Sequence, residues 1–157
     1  MDRKVVIIPT YNEKENIEAI VRKVFSLEGE YNVLIIDDGS PDGTAAIVKK
    51  VQTEFPERLF LIERSGKLGL GTAYLTGFKW ALENGYDYIF EMDADFSHNP
   101  EDLPRLYKAC AECGGVAIGS RYCDGISVVN WPIGRILMSY FASIYVKTVL
   151  GIKIHDC

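Results

Sequence analysis

The residues best suited to chemistry are Asp93 and Asp95, within Tyr88-Ile89-Phe90-Glu91-Met92-Asp93-Ala94-Asp95-Phe96-Ser97-His98-Asn99-Pro100. The mostly apolar start of this stretch reads as a strand, and the polar turn after it ends in proline. Residues i and i+2 of an extended chain point to the same side, so the two carboxylates can aim at one point. Hard anionic oxygens gathered there suit Mg²⁺ or Mn²⁺, above all where phosphate oxygens complete an octahedron. Taken alone, Asp-x-Asp is also a common surface turn. Its surroundings decide between the two.

Those surroundings alternate between two kinds of segment. Lys4 to Ile8, closed by Pro9, is a β-branched run of the sort buried on both faces of a sheet, as is Val33 to Ile36. Leu59 to Ile62 reads as a third strand, the stretch before Asp93 as a fourth and Val116 to Ile118 as a fifth. Between them, apolar residues recur at helical spacing: Ile17, Ile20, Val21, Val24 and Leu27, then Ile47, Val48, Val51 and Phe55. A third set is Ala73, Tyr74, Gly77, Phe78 and Ala81, and a fourth, from about Pro100, is Leu103, Leu106, Tyr107 and Cys110. Asn12 is placed to cap the first helix, with Glu15 reaching back to it. This alternation predicts βαβ units and a mainly parallel sheet, in which ligands bind outside the carboxyl ends of the strands near a switch in strand order. Residues 9–13, 37–43 and 93–97 all leave strands at that end. Convergence of three polar loops on one crevice favours a metal site over a surface turn.

A diphosphate would suit such a crevice, with helix N-termini, the loop Ser65-Gly66-Lys67-Leu68-Gly69-Leu70-Gly71 and an aspartate-bound cation around it. The glycine loop is weak by itself: it lacks the Gly-Lys-Ser/Thr of a Walker A loop and reads equally well as a plain helix-entry turn. Asp37 and Asp38, at a strand end, can accept hydrogen bonds from a base or ribose; helix capping, their other reading, can be supplied by Asp42 and Thr44.

The 157 residues are enough for one domain with a real core, and 48% hydrophobic with 25% charged residues is a globular composition. A formal charge of −5 provides no global basic field, which argues against nucleic acid as a partner. The start Met1-Asp2-Arg3-Lys4 leads straight into a strand with no signal peptide, and the four cysteines, Cys110, Cys113, Cys123 and Cys157, form no disulfide framework. An intracellular protein with reduced cysteines is expected, and the single Cys-x-x-Cys is read as structural. Ile133 to Leu150 is apolar almost all round, but Arg135 and Lys147 interrupt it, and the uninterrupted stretch is too short to span a bilayer of about 30 Å. It is expected as a helix buried against further protein or lying at a membrane surface.

Five motifs in order carry a resemblance that covers essentially the whole chain: Ile8-Pro9-Thr10-Tyr11-Asn12-Glu13, Asp37-Asp38-Gly39-Ser40-Pro41-Asp42-Gly43-Thr44, Lys67-Leu68-Gly69-Leu70-Gly71-Thr72-Ala73-Tyr74, Met92-Asp93-Ala94-Asp95-Phe96-Ser97-His98 and Gly119-Ser120-Arg121-Tyr122. Together these resemble the family 2 glycosyltransferases, nearest to the dolichol-phosphate (polyprenol monophosphate) mannosyltransferases. The resemblance implies an α/β fold of the GT-A (Rossmann-like) type over residues 1–157, with a donor-binding half to about 122 and an acceptor-side helix at about 133–150. It implies an inverting transfer of mannose from GDP-mannose to a polyprenyl phosphate, with Mg²⁺ or Mn²⁺ as cofactor and peripheral contact at the cytoplasmic membrane face. By motif, Pro9, Tyr11, Glu13, Ile36 and Asp38 look like a guanosine pocket, and Asp93, Ala94 and Asp95 like the donor and metal site. Ser97 stands where relatives offer a third metal ligand, often glutamine; Arg121 looks like a phosphate-binding arginine, and Arg135 with Ser139 like the pair that holds the acceptor phosphate. A lipid phosphate is already anionic at neutral pH, so no general base is required and His98 need not be a catalyst. The chain stops at His155-Asp156-Cys157, where the family continues through a D-x-T-type segment and later donor-binding Arg and Lys residues, so a C-terminally truncated domain is expected. A UDP-glucose-type donor, or donor binding without turnover, are the competing expectations.

Overall fold

The computed structural model describes residues 2–119 and 133–151, without the side chains of residues 135, 136 and 150. The chain divides into two compact units, Met1–Gly115 and Val116–Cys157. In the first, the elements run β1 (Lys4–Thr10), α1 (Ile17–Phe25), β2 (Tyr31–Asp37), α2 (Thr44–Gln52), β3 (Leu59–Glu63), α3 (Leu70–Glu83), β4 (Tyr88–Glu91) and α4 (Leu103–Cys113), the last entered through a 3-10 turn at Pro100–Asp102. The strands form one parallel sheet in the order β3-β2-β1-β4. From β1 the chain builds outward through β2 and β3, then returns to β4 on the other side of β1, so the switch in strand order lies between β1 and β4.

Side-chain alternation sorts the core into two layers. Val6, Ile8, Val33, Ile35 and Phe90 face one way, under α1, α2 and Leu103 of α4; Val5, Ile7, Leu34 and Ile36 face the other, under Ala73 and Ala81 of α3. Extending the same parity past the strand ends puts Asp37 on the α1/α2 side, but Asp38 and Asp93 on the α3 side. Asp38, Asp93 and the loop that leads into α3 therefore share one face of the sheet.

Three local expectations are corrected. The α1 helix begins at Ile17, behind Asn16, and not behind Asn12. Asn12 adopts a left-handed φ of 64°, because its backbone N–H donates to the Ser40 hydroxyl (3.0 Å) and not into a helix turn. The run Val116 to Ile118 is not a strand; Val116 is 84% exposed, and strand propensity without a hydrogen-bonded neighbour does not make a strand. The helix read from about Pro100 opens as the 3-10 turn and becomes α-helical only at Leu103.

In the second unit, α5 (Ile133–Leu150) spans the bounds expected from sequence. Ile133, Met138, Phe141, Tyr145 and Val149 are all exposed, and no described helix is long and apolar enough to cross a membrane.

Candidate functional site at the carboxyl end of the sheet

The site grows from the ends of β1, β2 and β4. At the β1 and β2 ends, Thr10 and Asp37 are register partners, and the Thr10 hydroxyl donates to Asp37 Oδ1 (2.9 Å). Asp37 also accepts from the Ser40 N–H (2.9 Å) and hydroxyl (2.6 Å). It is a buried tie between loops, not a ligand-facing acid. The next loop is held by the one before it: the Glu13 N–H donates to Thr44 Oγ1 (3.0 Å) and the Lys14 N–H to Asp42 Oδ2 (3.1 Å). Asp42 also steadies the entry to α2, whose N-cap is Gly43, by accepting from the Thr44 N–H (3.0 Å) and hydroxyl (2.6 Å).

Burial alone would raise the Asp42 carboxyl, but the Thr44 hydroxyl, the Thr44 and Lys14 N–H groups and the Lys14 charge hold it below the ordinary aspartate range. A depressed folded-state pKa contributes stability that is fully present above the unfolded value and is lost as pH falls through the folded one. Acidification from about pH 5 to about pH 3 should therefore weaken the native protein more than Asp42→Ala. Urea midpoints across that range check this; equal acid losses would remove Asp42 from the account.

Of the residues expected to form a guanosine pocket, Tyr11 lies on the surface beneath Lys67, whose Nζ sits 4.5 Å from the ring centroid. Pro9 and Glu13 are half-buried. Ile36 is fully buried in the α3-side core, so only its backbone can border a ligand. Asp38 is nearly buried, and its partner is a residue that no motif singled out. Arg64 pairs with Asp38 Oδ1 through Nε (2.5 Å) and Nη2, and the Leu68 N–H donates to Oδ2 (3.2 Å). Its position directly after an apolar strand, across from an acidic strand end, is the only mark it carries in the sequence.

At the β4 end the Met92 N–H still donates to Ile7 O (3.1 Å), which carries the sheet to the edge of Asp93. Tyr74, placed by its spacing in the α3 core, also reaches the site: its hydroxyl donates to Asp93 Oδ1 (3.3 Å). Burial first, then the charges of Asp93 and Glu91, push the Tyr74 hydroxyl far above its ordinary value, so it remains a donor. Burial and the Asp93 charge also raise Glu91. His98 accepts from the Asp93 N–H at Nδ1 (3.2 Å), leaving Nε2 as the protonated nitrogen, 3.9 Å from Asp93 Oδ2. Through this contact His98 supports the Asp93 backbone. Asp95 accepts from the Ser97 N–H at Oδ1 (2.9 Å), and the Ser97 hydroxyl and N–H hold its carboxyl below the ordinary range against the opposing effect of burial. The turn between them places Phe96, a bulky non-glycine residue, at φ 61°.

Ala94 is buried under the turn. Among the described residues no cluster of three or more His, Cys, Asp and Glu side chains could hold a metal alone. Asp93 and Asp95 nonetheless fit a hard cation as a two-carboxylate donor set that outside oxygens would complete. Arg121 lies outside the described residues, as do Cys123 and Cys157, and the Arg135 side chain is not described; Ser139 is half-buried on α5. Cys110 and Cys113 are free thiols.

A parallel sheet covered by helices on both faces is a doubly wound α/β fold, and its family and structural matches make it one of the GT-A type. Residues 5–157 match the family described as glycosyl transferase family 2, and the chain belongs to it. It is 47% identical over 154 residues to polyprenol monophosphomannose synthase of Mycolicibacterium smegmatis, covering 98% of this chain and 58% of that protein. It is 43% identical to undecaprenyl-phosphate mannosyltransferase of Micrococcus luteus (98% and 63% covered) and 40% identical to dolichol-phosphate mannosyltransferase of Pyrococcus furiosus (96% and 42% covered). The chain thus spans roughly half the length of these relatives. Among solved structures, the Pyrobaculum calidifontis mannosyltransferase PcManGT in complex with GDP-Man and Mn²⁺ is similar with a TM-score of 0.54 at 29% identity, over 59% of this chain and 27% of that one. S. aureus TarS 1–349 shares the fold with a TM-score of 0.58 at 24% identity, over 70% of this chain and 32% of that one.

Proposed function

We propose that the protein transfers mannose from GDP-mannose to a polyprenyl phosphate with inversion, at the membrane face where that lipid lies. The observation that carries this is the pair Asp93 and Asp95 at the end of β4, each held by neighbours that steady its carboxylate, in a chain 47% identical to a polyprenol monophosphomannose synthase. Asp38 with the walls at Pro9, Tyr11 and Glu13 takes the nucleoside, while Lys67 and the start of α3 face the diphosphate. Asp93 and Asp95 would hold a divalent cation, which would supply charge neutralisation for the departing diphosphate. Ser97 acts on Asp95 through its N–H and hydroxyl, a supporting role in place of direct ligation.

The acceptor phosphate is already an anion, so the protein has to position it and needs no base. By the resemblance, Arg121 binds donor phosphate, and Arg135 with Ser139 binds the acceptor phosphate. Titration with GDP-mannose and with UDP-glucose in Mn²⁺ tests the donor, and transfer of labelled mannose to polyprenyl phosphate by the whole protein tests the reaction. GDP-mannose should bind at least about tenfold more tightly. Preference for UDP-glucose would overturn the mannose assignment.

A further inference from the structure

The geometry points to Arg64 as a positioning residue that couples the nucleoside end of the donor site to its diphosphate end; this rests on the donor reading above. Arg64 stands directly after β3 and belongs to none of the five motifs. Its side chain and that of Asp38 are 8% and 9% exposed. One guanidinium serves three acceptors on different segments: Asp38 Oδ1 at the end of β2, Thr72 Oγ1 in the first turn of α3 (2.7 Å) and Gly69 O in the glycine loop (3.2 Å). Its own backbone N–H donates to Asp37 O (2.8 Å).

The loop closes the circuit, because the Leu68 N–H takes the second Asp38 oxygen and the Thr72 hydroxyl is within 2.9 Å of Leu68 O and 2.8 Å of Gly69 O. The backbones are also pressed together: a Cβ on Gly39 would lie 3.3 Å from Gly66 Cα and 3.4 Å from Arg64 O. A buried ion pair is weak evidence for stability, since its desolvation cost offsets most of its attraction. This pair instead fixes the rotation of the Asp38 carboxylate and the path of residues 66–72 relative to it. A planar fork holds these acceptors in fixed directions, whereas a lysine ammonium is a point charge with freely rotating donors and cannot reproduce that fork.

The test is a double-mutant cycle on GDP affinity in MnCl₂, read by calorimetry alongside circular dichroism and melting curves. Arg64→Lys should fold and raise the Kd for GDP by about tenfold or more, as loss of an outer supporting residue commonly does. Asp38→Asn should weaken binding too, and the double variant should be no weaker than the worse single one, because both changes break one unit. Unchanged affinity in folded Arg64→Lys, or losses that add, would overturn the proposal. Should Arg64→Lys fail to fold, Thr72→Val cuts only the loop arm: weakened GDP binding supports the coupling and native affinity overturns it. If the native protein prefers UDP to GDP, the same cycle is read with UDP; non-additivity there keeps Arg64 and removes only the donor reading. Failure of the native protein to bind either nucleotide overturns both.

Discussion

Asp93→Ala and Asp95→Ala are each expected to abolish the Mn²⁺-dependent part of GDP-mannose binding and, with it, mannosyl transfer. The loss should exceed the roughly 10- to 100-fold that outer-shell changes at metal sites cost, because these carboxylates are proposed to touch the cation itself. The two variants separate in their side effects. Asp93 receives the Tyr74 hydroxyl and faces His98 Nε2, so its removal disturbs a half-buried set of partners. Asp95 is exposed and receives mainly Ser97, so its removal should leave the melting temperature almost unchanged. Titrations with and without Mn²⁺ give the readout: metal-free binding should match the native protein. Retained metal dependence in either variant would return that aspartate to an ordinary turn residue.

The outcome bears on how the site is encoded. Period-two alternation already decides that Asp38 and Asp93 emerge on the α3 face and Asp37 on the other, because these residues continue the parity of Ile36, Glu91 and Ile35. The parallel sheet and the inward faces of α1, α2 and α3 follow from the same periodicities, which is why they were legible. Arg64 was not legible in the same way. Its partner lies 26 residues away and its bonds cross three segments, so no local period marks it. Tyr74 was hidden by a correct observation: it does occupy the core face of α3, and only its hydroxyl reaches past that core to Asp93. Asn12 carried a genuine capping signal that a tertiary contact, its N–H on Ser40, overrode. Val116 to Ile118 has strand composition, but a strand exists only as one side of a ladder.

Gly77→Ala should destabilise the protein even though alanine is the better helix former. The helical gain is about 1 kcal/mol. Against it, a Cβ at position 77 would lie 2.7 Å from Ile7 Cγ2 and 2.8 Å from Ile7 Cδ1, nearer than carbon atoms pack. Ile7 is fully buried in the central strand β1, and its β-branch leaves little rotamer freedom to retreat. Overpacking of this kind costs about 1–3 kcal/mol, so a net loss of about 1 kcal/mol and a fall of a few degrees in Tm are expected. Ile7→Ala alone should cost about 2–5 kcal/mol through the space it vacates. In the double variant the new methyl enters that space, so the combined loss should fall short of the sum by at least about 0.5 kcal/mol. Additive losses in urea unfolding would show that α3 moves away instead. The distinction matters at the site, because α3 carries Tyr74 to Asp93 and Thr72 to Arg64. If Gly77 sets the approach of α3 to β1, a helix lifted by Gly77→Ala should weaken GDP-mannose binding in Mn²⁺ without any donor-facing residue having changed, and Gly77→Ala/Ile7→Ala should restore part of it.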